Sequence, residues 1–143
     1  MFLSLTMKVV QKEISLTTRK RYDFVKITGR VVEIVKNSKL KNGIVSINSL
    51  HTTAGVIIQE NDETIFKDMM NTFERILPLK ERYNHLEEDN ENAIAHQITT
   101  IIGNSVSVPV VNGELRLGMY QNIFFIELDK ARNRTVSVTV IGE

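Results

Sequence analysis

Ile44-Val45-Ser46-Ile47-Asn48-Ser49-Leu50-His51-Thr52-Thr53-Ala54-Gly55-Val56-Ile57-Ile58-Gln59-Glu60-Asn61-Asp62 is the stretch on which the fold turns. Two strand-like runs of β-branched and small residues flank a polar break at His51-Thr52-Thr53. The second run closes on Gln59-Glu60-Asn61, next to a helix start at Asp62. A histidine, two hydroxyls and a carboxylate at the breaks of an apolar segment are what a pocket wall needs. The same residues are also what a turn needs, where threonine hydroxyls satisfy local backbone groups. Glu60 follows Val56 and Ile58 at strand spacing, so the pattern places its carboxylate on their face. It is expected there to reach the histidines as a base, or as the group that orients one of them. The alternative is that Glu60 caps the helix beginning near Asp62.

Outward from this stretch, Met7 to Thr18 alternates as a strand and Arg19-Lys20-Arg21 reads as an exposed turn. Val31, Val32, Ile34 and Val35 would suit a strand by type. Positions 31, 34 and 35 nevertheless form a helical stripe behind a capping Thr28, and the spacing predicts a helix over 29–38. Asp62 caps a helix running to about Leu77 before Pro78, with Ile65, Phe66, Met69, Phe73, Ile76 and Leu77 as its core face. A polar loop with Tyr83, His85 and the acidic run Glu87-Glu88-Asp89 follows, either solvated or able to help hold a cation. Asn92 to Ile102 is a helix whose stripe is Ile94, Ile98, Ile101 and Ile102, leaving Asn92, His96, Thr99 and Thr100 towards the other side. After Gly103 the chain reads as sheet: Ser105–Val111, a hairpin turn at Asn112-Gly113, Glu114–Leu117, Gln121–Leu128 and Arg134–Ile141. One α+β domain over residues 1–143 follows, mainly antiparallel sheet with helices packed on one face.

The 143 residues, 42% hydrophobic and 24% charged, suffice for one soluble core. There is no cysteine, which removes disulfides and thiolate metal sites. No apolar run is long enough for a membrane span, and Met1 to Met7 is too short for a leader, so the expected location is the cytoplasm. Translation could begin at Met1 or Met7. Net charge is +1, with ten of the eighteen Lys and Arg but three of the seventeen Asp and Glu within residues 1–43. These basic residues are dispersed and lack aromatic interleaving, so no nucleic-acid partner is expected.

Gly-rich phosphate loops and serine elbows are absent. What remains is His51, His85 and His96, the only histidines. Three imidazoles can hold zinc with one open position for water. Without a metal they can bind phosphate or exchange protons near neutral pH.

The order His51-Thr52-Thr53-Ala54, Gln59-Glu60-Asn61, Tyr83-Asn84-His85 and Asn92-Ala93-Ile94-Ala95-His96 carries a resemblance. It continues through Gly103-Asn104-Ser105, Gly113-Glu114-Leu115-Arg116-Leu117-Gly118, Tyr120-Gln121 and Glu127-Leu128-Asp129. Together these resemble the YjbQ-like family, named for secondary thiamine-phosphate synthase activity in some members, over roughly Val9 to Glu143. The resemblance implies a homotrimer with histidine-lined sites near subunit boundaries, and closed symmetry would also cover sheet edges. His51, His85 and His96 match the family's histidine positions, and Glu60 and Gln121 match its pattern. The three imidazoles are the expected metal ligands, with zinc the expected divalent metal, and Glu60 and His51 are the expected catalytic groups. Thr52, Asn92, Gln121 and Arg132 are the expected contacts to a small phosphorylated substrate. The chain departs from the family pattern at Gly118-Met119-Tyr120-Gln121, where Gly-Thr-Trp-Gln is usual. It departs again at Asp129-Lys130-Ala131-Arg132, where Asp-Gly-Pro-Arg is usual. Two function classes follow: an enzyme of the thiamine-phosphate-forming kind, and a trimeric metal- or ligand-binding protein without efficient catalysis.

Overall fold

The computed structural model describes residues 6–143; most of the segment Met1 to Met7, with the question of its start, lies outside them. The elements are β1 (Lys8–Thr17), β2 (Asp23–Lys26), α1 (Thr28–Ser38), β3 (Gly43–Ser49), β4 (Ala54–Gln59), α2 (Glu63–Ile76), α3 (Asn90–Ile102), β5 (Ser105–Val111), β6 (Glu114–Leu115), β7 (Asn122–Glu127) and β8 (Asn133–Gly142). They form two antiparallel sheets, ordered β1-β8-β3-β5-β6 and β2-β7-β4. The break at His51-Thr52-Thr53 therefore carries the chain from one sheet to the other. No helix among the described residues is long and apolar enough to cross a membrane.

The alternation of each strand explains the layers. Val136, Val138 and Val140 of β8, with Val45 and Ile47 of β3, Val108 and Val110 of β5 and Ile14 of β1, form the inner face of the larger sheet. They meet Ala54 and Val56 of β4, Ile123 and Phe125 of β7, and Val31 and Val35 of α1 in one core. The opposite face of the smaller sheet carries Ile126, with Phe24 and Ile57 beside it, and buries Phe73 of α2 and Ile94, Ala95 and Ile98 of α3. Phe124 adds an edge contact to Phe66 of α2 at 5.2 Å between ring centroids. Both faces of β7 are thus covered, which is why Asn-Ile-Phe-Phe-Ile-Glu is apolar throughout its middle.

The structure corrects several expectations. The helices do not share one face: α1 belongs to the core between the sheets, while α2 and α3 cover the far side of the smaller one. Thr28 is not the cap of α1. Its hydroxyl accepts a hydrogen bond from Ile123 N–H at 2.8 Å, tying the helix to β7. β2, too short for a legible pattern, pairs with β7. Ile76 and Ile101 are 57% and 60% exposed rather than core, whereas Asn92 and Thr99 are buried. Asp62 does cap α2, accepting from Thr64 N–H at 2.7 Å. Asp89 from the acidic run caps α3 by accepting from Asn92 N–H at 2.8 Å.

Candidate functional site

Four segments converge at one end of the smaller sheet: the His51–Thr53 break, the loop around His85, the first turns of α3, and the β7–β8 turn. Gly55 lets them close up, since a Cβ there would stand 2.7 Å from the Gly103 carbonyl oxygen and 2.8 Å from Ile102 Cδ1. The end of α3 can therefore rest on β4. Two hollows open here. One, of about 320 Å³, is lined by Thr52, Thr53, His85, Glu88, Asn92, His96, Arg132 and Arg134 among others. The other, of about 330 Å³, is lined by His51, Thr52, His96, Thr99, Thr100, Gly103 and Asn104. Thr52 and His96 are common to both. A larger hollow of about 540 Å³ between α1 and the β5–β6 hairpin contains neither histidine nor arginine.

Two guanidinium–carboxylate pairs build the wall of the first hollow. Glu127 is fully buried and Arg134 is 5% exposed. Arg134 Nε donates to Glu127 Oε1 at 2.8 Å, and Arg134 Nη2 donates to Glu127 Oε2. The same carboxylate accepts from the Thr18 hydroxyl at 2.6 Å and from Asp129 N–H at 3.2 Å. Arg134 Nη2 also reaches the Thr53 hydroxyl at 2.9 Å. Next to this pair, Asp129 Oδ2 accepts from Arg132 Nη2 at 2.7 Å, from Arg132 Nε at 3.2 Å and from Asn92 Nδ2 at 3.0 Å. Burial pushes the Asp129 carboxyl up, but the donors from Arg132 and Asn92 outweigh it and hold it below the usual aspartate range. The hydrogen bond to Asp129 in turn raises Arg132. Among the described residues, Nη1 of either arginine has no hydrogen-bond partner, so both keep donors for a ligand.

Glu88 of the acidic run is not solvated alone. It pairs with Lys130 at 3.0 Å and with Arg132 Nη2 at 2.9 Å, and the hydrogen bond from Lys130 is the main reason its carboxyl is held low.

The histidines divide. His85 and His96 meet edge to face, 4.7 Å between ring centroids. His51 instead accepts a hydrogen bond at Nε2 from Thr135 N–H, at 2.8 Å. An Nε2 that accepts carries no proton, so the neutral ring is protonated at Nδ1. Desolvation by burial, then the charge of Arg134, lowers the His51 pKa below 6.5. His51 lines the second hollow, and its Nε2 serves as base or metal ligand only if the Thr135 bond is given up. His96 lines both hollows, the first with His85 and the second with His51. Among the described residues, no three His, Asp or Glu side chains of the chain stand where they could hold a metal ion.

A test follows from this tautomer. In ¹⁵N-detected NMR, His51 should titrate below 6.5 with an Nδ1–H signature; titration above that value would contradict the assignment. Because folding lowers the pKa, the unfolded chain takes the proton first. Stability is complete above the unfolded pKa and declines as pH falls from there through the folded pKa.

Glu60 and Gln121 lie elsewhere. In the β4–β7 ladder Ala54 faces Glu127 at the histidine end, and Gln59 faces Asn122 at the other. Five residue steps of strand separate those ends by roughly 17 Å. Glu60 sits just past the far end, where its N–H donates to Gln59 Oε1 and its carbonyl accepts from Asp62 N–H. Gln121 Oε1 accepts from Gly118 N–H at 2.7 Å. Glu60 therefore neither caps α2 nor reaches the histidines of its own chain. Thr52, Asn92 and Arg132 do line the first hollow.

The Glu127–Arg134 pair escaped sequence reasoning as a site feature. Its signal was present: Glu127 follows Ile123 and Phe125, and Arg134 precedes Val136, Val138 and Val140, all at strand spacing on core faces. A charge on each of two core faces points to a buried pair.

Comparison with known proteins agrees with the fold. The sequence profile of the family described as "UPF0047 protein YjbQ-like" matches residues 12–143. A UPF0047 protein of Methanothermobacter thermautotrophicus is 37% identical over 96% of this chain and 95% of its own length. YugU of Bacillus subtilis is 35% identical over 92% of this chain and 98% of its own. Among solved structures, a YbjQ-like protein of unknown function from Sulfolobus solfataricus superposes with a TM-score of 0.91. It has 33% identity and covers 96% of this chain and 100% of its own. A hypothetical protein from Aeropyrum pernix gives 0.87 at 32% identity, over 94% of this chain and 99% of its own. With these relatives spanning nearly its whole length, the chain belongs to the YjbQ-like UPF0047 family.

Proposed function

We propose that the hollow between His85, His96, Arg132 and Arg134 binds the phosphate groups of a small molecule, and that the protein is a transferase of the thiamine-phosphate-forming kind. The observation that carries this reading is the pair of arginines, each held by a buried carboxylate and each with Nη1 unengaged, beside two contacting imidazoles. Guanidinium forks match phosphate oxygens, and water is largely excluded from their anchored side. In the reaction, a thiazole nitrogen forms a bond to the methylene carbon of a pyrimidine diphosphate. The carbon–oxygen bond breaks and pyrophosphate leaves with the electron pair. Arg132 and Arg134 take up the charge that develops on the leaving group. Thr52 and His96, shared by both hollows, stand where two substrates would meet. The protein works as a homotrimer, in which a second chain brings Glu60 and Gln121 to this hollow; both match the family pattern, yet neither reaches the hollow within its own chain.

Arg132→Ala should weaken binding of inorganic pyrophosphate about ten- to a hundredfold by calorimetry, the loss expected for charge-assisted hydrogen bonds. Unchanged affinity would remove the hollow as the anion site. Turnover with pyrimidine diphosphate and thiazole phosphate, set against binding of each alone, separates an enzyme from a binding protein. The contact between His85 and His96 favours one second reading, a zinc site completed by a third ligand from another chain. Stoichiometric zinc lost in His85→Ala would support it, and pyrophosphate binding unchanged by chelation would keep the anion reading.

A further inference from the structure

Three carboxylates surround Arg132 and Arg134, and their burial divides them. Building on the anion-site reading above, we infer that Asp129 is a positioning residue that sets Arg132 for its ligand, while Glu88 occupies the face of Arg132 that the ligand takes over.

Asp129 is fully buried, and its Oδ2 receives both the Nε and Nη2 donors of Arg132. That grips one edge of the planar guanidinium and leaves Nη1 on the opposite side. Asn92 Nδ2 braces the same oxygen from α3 at 3.0 Å, while Oδ1 is buried without a partner. An aspartate with one oxygen overused and the other idle is arranged for its grip on Arg132 and not for its own satisfaction. Glu88 differs in kind. Its side chain is 40% exposed, and its two oxygens approach Arg132 Nη2 at 2.9 and 3.2 Å. An exposed pair of this sort is weak. Both oxygens sit on Nη2 alone, so a phosphate that spans Nη1 and Nη2 end-on, with more charge, displaces it.

The two roles make opposite predictions where simple charge makes one. Removing either negative charge raises the potential at the hollow, so by Coulomb attraction alone both Asp129→Asn and Glu88→Gln would tighten anion binding. Positioning reverses the sign for Asp129.

The test is calorimetric titration of the full chain with inorganic pyrophosphate at fixed ionic strength. Asp129→Asn should bind about tenfold more weakly and Glu88→Gln about threefold more tightly. Equal or tighter binding by Asp129→Asn overturns the positioning role, and equal or weaker binding by Glu88→Gln overturns the competing role. Failure of the unsubstituted protein to bind pyrophosphate overturns the anion-site reading itself and with it this inference, before any variant is compared. Should Asp129→Asn not fold, the unsubstituted protein decides through the solvent exchange of the Arg132 Nε–H. Exchange slower than that of exposed Arg82 supports the grip, and equal exchange overturns it.

Discussion

Replacing Glu127 with alanine should cost the fold about 3–5 kcal/mol, the penalty for leaving one member of a buried ion pair alone. Glu127 is inaccessible, and Arg134 would keep its charge in an environment where only Thr53 still accepts from it. Two further groups lose their acceptor at the same time, the Asp129 N–H and Arg134 Nε, and the Thr18 hydroxyl keeps only the Arg132 carbonyl at 3.2 Å. Urea denaturation at neutral pH measures the loss, and a change below about 1 kcal/mol would mean that water or another group already serves Arg134. The converse experiment replaces both partners, Glu127→Leu with Arg134→Met. That variant should recover much of the loss, because two apolar groups of similar volume avoid the cost of desolvating two charges. It should also lose pyrophosphate binding. Stability would then return without the site, which identifies the pair as an expense borne for the hollow.

How much of this was legible in the chain depends on how local the cause is. The Asn112-Gly113 turn, with φ of 51° and 79°, needs residues tolerant of the left-handed region and announces itself. The Asp62 cap, the α2 stripe and the Val136–Val140 alternation are equally local. The two-sheet division is not: nothing within His51-Thr52-Thr53 says that β3 and β4 pair with different partners. β2 holds only Asp-Phe-Val-Lys and acquires its state from β7. Asn92 reads as a polar helix residue until Asp129, far along the chain, gives its amide a buried acceptor. At the site, residue type identified the histidines, Thr52, Asn92 and Arg132. It could not foresee that Thr135 N–H, 84 positions from His51, would commit that ring's Nε2.

Mixing two inactive variants should restore about a quarter of the full activity, if each site takes Glu60 from one chain and His96 from the next. The argument begins from β4, whose ends separate Glu60 from the His51–Thr53 break. A strand cannot fold back on itself, so a single chain never brings this carboxylate to the hollow in which His96 and Arg132 stand. Glu60→Gln and His96→Ala should each be nearly inactive, at the 10²–10⁴-fold loss typical of a missing acid–base group. After co-refolding in equal amounts, half of the chains carry an intact His96 and half an intact Glu60. A site drawn from two neighbours is then whole in about one case in four, whatever the order around the ring. Light scattering must first give three times the 16.3 kDa chain mass; a monomer ends the argument there. A trimer whose mixed preparation stays inactive, with each variant inactive alone, places both residues in the same site of one chain and overturns the shared-site reading. Full activity in Glu60→Gln alone, with about half the activity in the mixture, would instead deny Glu60 a role.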